Sequence, residues 1–153
     1  MSDLRQPTGA LEDSRVSYVE ADVQDLPFAD SSFDRLIATC LLHHINDPIL
    51  ALTEMRRVVR PGGAVSILIA ADPGFVYRFA QGISSGRQHQ KAGFAEWRTL
   101  HAMEHRNHAG SLHRLINYEF RRDQVRGRGF PIPVASWWNL NLFAIYQVEL
   151  ERG

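Results

Sequence analysis

The sequence predicts an α/β fold: a doubly wound, mostly parallel sheet, incomplete on its N-terminal side, with an antiparallel strand at one edge. Three observations carry that expectation. "FDRLIATC" (33–40) and "AVSILIAA" (64–71) are mostly apolar runs of strand length, the kind buried on both faces of a parallel sheet. An amphipathic helix stands between them, and strands joined by a helix imply a right-handed parallel crossover. The third observation is a late pair of β-like stretches, which suits strands added antiparallel at an edge.

Taken in order, residues 1–15 are polar and broken by Pro7 and Gly9, so they read as a tail. "VSYVEAD" (16–22) alternates and is rich in Val and Tyr, a strand ending at Asp22. "ADSS" (29–32) is a turn before the 33–40 strand. Asn46 or Asp47 can cap the helix, and Pro48 suits its first position. Ile49, Leu52, Met55 or Arg56, and Val59 recur at helical spacing, and Arg56, Arg57 and Arg60 favour its C-terminal end. "RPGG" (60–63) stops the helix, because proline cannot continue it and glycine supplies a reversal.

The second half is less regular. Residues 72–82 leave the strand by a turn and enter a short helix. Residues 94–108 form a helix that Gly110 ends, and Ser111 caps another carrying Leu112, Leu115, Ile116 and Phe120. Strands over about 124–130 and 140–149 flank a Pro- and Trp-containing excursion too long for a tight hairpin. The organisation expected is a 16–71 core, lid helices over 72–122 and terminal strands over 123–150.

Composition narrows the function classes. The 17 basic and 17 acidic residues balance, which removes the electrostatic footprint of a nucleic-acid binder. Arg121, Arg122, Arg126 and Arg128 read as a solvated face. A single cysteine, Cys40, excludes an internal disulfide and suits a reducing compartment. With no apolar segment at the start and no run long enough to span a bilayer, the expectation is a cytoplasmic protein without integral membrane contact.

Ligands of open α/β sheets sit beyond the carboxyl ends of the strands, here Asp22, the Thr39–Cys40–Leu41 corner and Ala70–Ala71–Asp72. A carboxylate at Asp22 either accepts hydrogen bonds from an amino or hydroxyl group or caps its own turn; backbone groups at Val23 and Gln24 could read a heterocycle edge. Residues 16–69 hold, in order, an acid after a strand, "LPF…SFD", "LHH…D" and "RVVRPGG". This series resembles the class I S-adenosylmethionine-dependent methyltransferases of the small-molecule and lipid-modifying type. The resemblance implies a Rossmann-like sheet with a helical lid, S-adenosyl-L-methionine as cofactor, and a small-molecule methyl acceptor. By position it implies that Asp22, Val23, Gln24 and Leu26, with Phe28, lie on the adenine side. Thr39, Cys40 and His43 would lie near the methionine part of the cofactor, and His44 near the acceptor or packed as a structural histidine.

That family's glycine-rich loop has no counterpart in residues 1–15. The chain is therefore expected to be a methyltransferase lacking its N-terminal part, with strands 16–22 and 33–40 each missing a partner, unpaired edges that invite self-association. The alternative is a non-catalytic remnant serving as an interaction module. "LHAMEHRNHAGSLHRL" (100–115) places His101, His105 and His108 at i, i+4 and i+7. His105 and His108 could accept a proton from the methyl acceptor, or the face is simply polar. The pattern is not a HExxH zinc site, and no metal is expected. Trp137, Trp138 and Phe143 read as core and lid packing, and an aromatic lid leans toward an apolar acceptor.

Overall fold

A computed structural model of the chain describes residues 16–81 and 105–152. Its named elements are β1 (Phe33–Thr39), α1 (Pro48–Val58), β2 (Val59–Ala70), α2 (Ala109–Glu119), β3 (Gln124–Phe130) and β4 (Phe143–Glu149), with a single 3-10 turn at Trp138–Leu140. The sheet runs β1-β2-β4-β3. β1 and β2 are parallel, from Arg35 opposite Ala64 to Thr39 opposite Leu68, and α1 is their crossover. β4 lies antiparallel between β2 and β3, with Ile67 opposite Tyr146 and Val65 opposite Val148. The mixed, open α/β architecture expected from the sequence is therefore present.

α1 begins as its sequence dictates. The Asp47 carboxylate accepts from the N–H groups of Ile49 and Leu50, both at 3.0 Å, and Pro48 occupies the first turn. Its buried stripe is Ala51, Leu52, Met55 and Val58, whereas Ile49 faces solvent. "RPGG" behaves differently from expectation. The helix ends at Val58 and the chain enters β2 at once, so Arg60 to Gly63 lie inside the strand. Gly62 adopts φ 75°, and a Cβ on Gly63 would stand 2.8 Å from the Asp34 carbonyl oxygen. The glycines permit the close entry of β2 beside β1.

One face of the sheet carries the core. Val65, Ile67, Ile69, Ala144, Tyr146 and Val148 project from it against Leu52, Met55 and Val58 of α1 and Leu112 and Ile116 of α2, with Phe120 just beyond. The opposite face is covered only in part: Ile37 is 66% exposed and Phe130 53%, while Leu68, Ala70 and Phe143 are half-buried near helical residues 75–81. The expectation that 33–40 is buried on both faces is thus corrected, since only Ala38 of β1 is fully buried. β1 is also the end strand of the described sheet.

Two further expectations fail. Residues 16–22 form no strand, because among the described residues no neighbouring strand takes their backbone groups. Asp22 and Asp25 make only an isolated bridge, and Tyr18 stands 80% exposed. Of the helix expected over 94–108, residues 94–104 lie outside the described residues, and 105–108 are not helical: the N–H groups of Arg106 and Asn107 donate to the His43 carbonyl at 2.9 and 3.2 Å. α2 then starts at Ala109 with His108 at its cap, so Gly110 and Ser111 fall within its first turn. Residues 75–81 are helical, as expected after the 72–74 turn.

Candidate functional site

The loop from Asp22 to Ser31 is fastened to α1 by two side chains. Arg57 donates to both Glu54 carboxylate oxygens at 2.8 and 2.7 Å, to the Phe28 and Leu26 carbonyls at 2.8 and 3.0 Å, and to Asp30 at 2.7 Å. Glu54 in turn accepts from the Leu26 N–H at 3.0 Å. The Arg57 hydrogen bond, then the Leu26 N–H, hold the Glu54 carboxyl down at about 2, well below its ordinary value. Gln24 bridges the same loop to the start of α1, its side-chain oxygen accepting from the Asp47 N–H at 2.9 Å.

Within that loop Asp22 caps its own turn, accepting from the Gln24 N–H at 2.9 Å. Its carboxylate remains exposed. Val23, Leu26 and Phe28 pack partly buried against the core. At the end of β1, Thr39 and Cys40 are exposed, and Cys40 turns the chain with φ 52° while its N–H donates to the Leu68 carbonyl. A cavity of about 390 Å³ opens there, lined by Cys40, Leu68, Ala70, Tyr77, Ala80, Gln81, Leu142 and Phe143.

Beyond Cys40 the histidines divide. His43 is wholly buried, and Nδ1 lies 2.8 Å from the Asn107 carbonyl oxygen. Burial depresses its pKa, opposed by the Asn107 carbonyl and the Asp72 charge. His44 is exposed, so the packed structural member of the pair is His43. His105 approaches from the segment before α2. Its ring stacks on His43 at 5.0 Å, meets His44 edge-on at 4.9 Å, and places Nδ1 3.0 Å from an Asp72 carboxylate oxygen. The Asn107 side chain pins this segment to the Leu42 and Ile45 carbonyls, and the Ala109 N–H donates to the Asp72 carbonyl. His108 is exposed at the cap of α2, and His101 lies outside the described residues.

The structure therefore gathers His43, His44, His105 and Asp72 at the carboxyl ends of β1 and β2. Sequence reasoning missed Asp72 as a partner of His105, and the Glu54–Arg57 pair. Asp72 had one legible signal, its place just after a buried strand. No group of three or more potential metal ligands is found among the described residues. No helix among them is long and apolar enough to cross a membrane.

Residues 3–67 match the protein family described as a methyltransferase domain. The chain is 43% identical over 53 residues to the ubiquinone/menaquinone biosynthesis C-methyltransferase of Bdellovibrio bacteriovorus, a match covering 35% of this chain and 23% of that protein. It is 41% identical over 61 residues to the demethylmenaquinone methyltransferase of Clavibacter sepedonicus, covering 40% of this chain and 25% of the relative. The matched stretch thus spans about a quarter of the length of these curated relatives. A crystal structure of an S-adenosylmethionine-dependent methyltransferase from Mesorhizobium loti shares the fold with a TM-score of 0.58 at 13% identity, covering 93% of this chain and 73% of that one. The acid-bearing turn, the strand–corner–helix unit and the helix-to-strand "RPGG" passage all fall within the matched residues. Over residues 3–67 the chain is thus similar to the methyltransferase domain family, and its fold is that of solved S-adenosylmethionine-dependent methyltransferases.

Proposed function

We propose that this chain supplies the adenine-side and acceptor-side walls of a site that transfers a methyl group to a small, apolar, ring-bearing acceptor. One observation carries the reading: the Asp22 turn is fastened to the helix that links β1 to β2, and a cavity with apolar walls opens where those strands end. The residues fit the cofactor's chemistry. Asp22 offers an exposed carboxylate to an amino or hydroxyl group, Val23 and Gln24 offer a turn backbone to a ring edge, and Leu26 supports that turn from the core side. Thr39 and Cys40 are exposed at the end of β1, Cys40 lines the cavity, and His43 is buried just beyond them in sequence.

S-adenosyl-L-methionine, when bound, contributes an electrophilic methyl group. The chain's own contribution is alignment, exclusion of water, and removal of a proton where the acceptor is protonated. The histidine candidates for that proton are His44 and His105, whose rings meet edge-on, and His108 at the cap of α2. The organisation proposed is a 16–71 core, a 72–122 lid and terminal strands over 123–150. A quinol is the acceptor class suggested by the names of the relatives, and it suits apolar walls. Calorimetry with S-adenosylhomocysteine, followed by mass spectrometry of reduced naphthoquinone incubated with chain and cofactor, tests the reading. Binding and a methylated ring product are expected; no binding and no product would sink it.

A second reading, a scaffold for interaction, is favoured by the uncovered edge of β1 and the exposed Ile37 and Phe130. It predicts self-association in sedimentation and no cofactor heat.

A further inference from the structure

We propose that the outer face of helical residues 75–81, with the sheet surface beside it, docks on an anionic lipid bilayer, from which the cavity beneath the helix draws its apolar acceptor. Phe75, Arg78 and Phe79 stand at i, i+3 and i+4, one face of the helix. All three are exposed, the two phenylalanines at 69% and 63%. The inner face of the same helix gives Tyr77, Ala80 and Gln81 to the cavity, against Leu68, Ala70 and Phe143 of the sheet. A helix that packs one face on a sheet ordinarily turns polar residues to water. This one turns two aromatic rings outward beside a cation.

The sheet continues that surface. A Cβ on Gly127 would meet the buried Tyr146 ring, so the alternate residues of β3, among them Arg128 and Phe130, project from the other face. Across the ladder Arg128 stands opposite Ile145 and Phe130 opposite Phe143, the two rings stacked at 5.2 Å. Phe143 also lines the cavity, so this part of the sheet borders the helix. The patch thus joins exposed Phe75, Phe79, Phe130 and Ile145 to Arg78 and Arg128. Neither arginine has an ion-pair partner among the described residues, whereas Arg126 lies 3.9 Å from Glu149. Exposed rings beside such arginines match the boundary between acyl chains and anionic headgroups, where rings enter and guanidiniums reach phosphate. A second copy fits less well, because a two-fold contact sets a patch against itself and brings like charges together. With 17 basic and 17 acidic residues overall, the attraction is local to this patch.

What the docked surface delivers rests on the methyl-transfer reading; the docking itself does not. A ring-bearing apolar acceptor partitions from water into a bilayer. One helix touches lipid with its outer face and forms the cavity wall with its inner face, so the acceptor has only a helix width, about 10 Å, to cover.

The test is co-sedimentation of the chain with phosphatidylcholine vesicles, with and without phosphatidylglycerol. Binding should need phosphatidylglycerol and weaken as salt rises. Phe75→Ser combined with Phe79→Ser should lower it by about tenfold or more. Arg78→Gln and Arg128→Gln should each lower it about fivefold, and Arg122→Gln, at the other end of β3, should leave it unchanged. The circular dichroism and urea midpoint of each variant should match the wild type, since the replaced side chains are exposed. No binding by the wild type, equal binding to neutral vesicles, or folded phenylalanine and arginine variants that bind like the wild type would overturn the surface. A wild-type dimer in sedimentation that leaves vesicles untouched would also overturn it and assign the patch to a second copy. Calorimetry with S-adenosylhomocysteine separates this result from the methyl-transfer reading. Vesicle binding without cofactor heat supports the surface and sinks methyl transfer; cofactor heat without vesicle binding does the reverse.

Discussion

Burial removes His43 from water, and desolvation lowers its proton affinity below the ordinary value of 6.5. The unfolded chain then binds that proton more readily than the folded one. The stabilisation is complete above about pH 6.5 and is lost as the pH falls below it. Urea unfolding should accordingly show a lower midpoint near pH 5 than near pH 8. His43→Gln should flatten that difference; an unchanged slope in the variant would show that another group is responsible. A steric prediction belongs at the same scale. A Cβ on Gly129 would overlap the Asn141 side-chain amide and stand 2.6 Å from the Ile132 carbonyl oxygen. That amide donates to the Val134 and Trp137 carbonyls at 3.0 and 3.2 Å. Gly129→Ala should cost about 1–3 kcal/mol in chemical denaturation.

At the scale of elements, the Glu54–Arg57 pair determines how firmly the Asp22–Ser31 loop rides on α1. Arg57→Lys keeps the charge but loses the planar fork that reaches Glu54, Phe28 and Leu26 together. Hydrogen exchange over residues 24–31 should accelerate in that variant while α1 keeps its protection. Because the Glu54 carboxyl is held down at about 2, loop protection should persist at mild acidity and decline as the pH falls from about 4.5 toward 2. Equal acceleration throughout α1 would mean the pair supports the helix rather than the loop. α1 itself was legible in advance, because Asp47 and Pro48 are local signals and its cap is a local hydrogen bond. The 16–22 strand was misread for the opposite reason: alternation marks a segment able to pair, whereas pairing needs a neighbour. The Asp72–His105 contact was invisible because residues 33 apart in sequence meet only through the fold.

Across the whole molecule, the two faces of the sheet differ in kind. Ile67 is 1% exposed between α1, α2 and β4, whereas Ile37 projects from the other face. Ile67→Ala should cost about 2–5 kcal/mol, and Ile37→Ala less than about 1 kcal/mol, both read by urea unfolding. Equal costs would show that Ile37 is packed as deeply as Ile67. The architecture was foreseeable from two apolar runs and one helix, but the one-sided burial was not. Apolar composition records what a strand can bury, and neighbouring elements decide what it does bury.

The position of β4 beside β2 has a consequence for how the chain acquires its shape. The β1–α1–β2 unit closes over a short stretch of chain, while β4 must return from far along the sequence to meet β2. Local contacts form early and distant ones late, so the crossover unit is the natural nucleus and β4 the late arrival. Each doubling of a flexible connection adds only about 0.6 kcal/mol of closure entropy. That modest cost applies to connecting loops and not to α2, which lies between β2 and β3 in sequence and gives Leu112, Ile116 and Phe120 to the core. The return of β4 to β2 therefore carries α2 with it, and the helix and the late strand complete the same core face together.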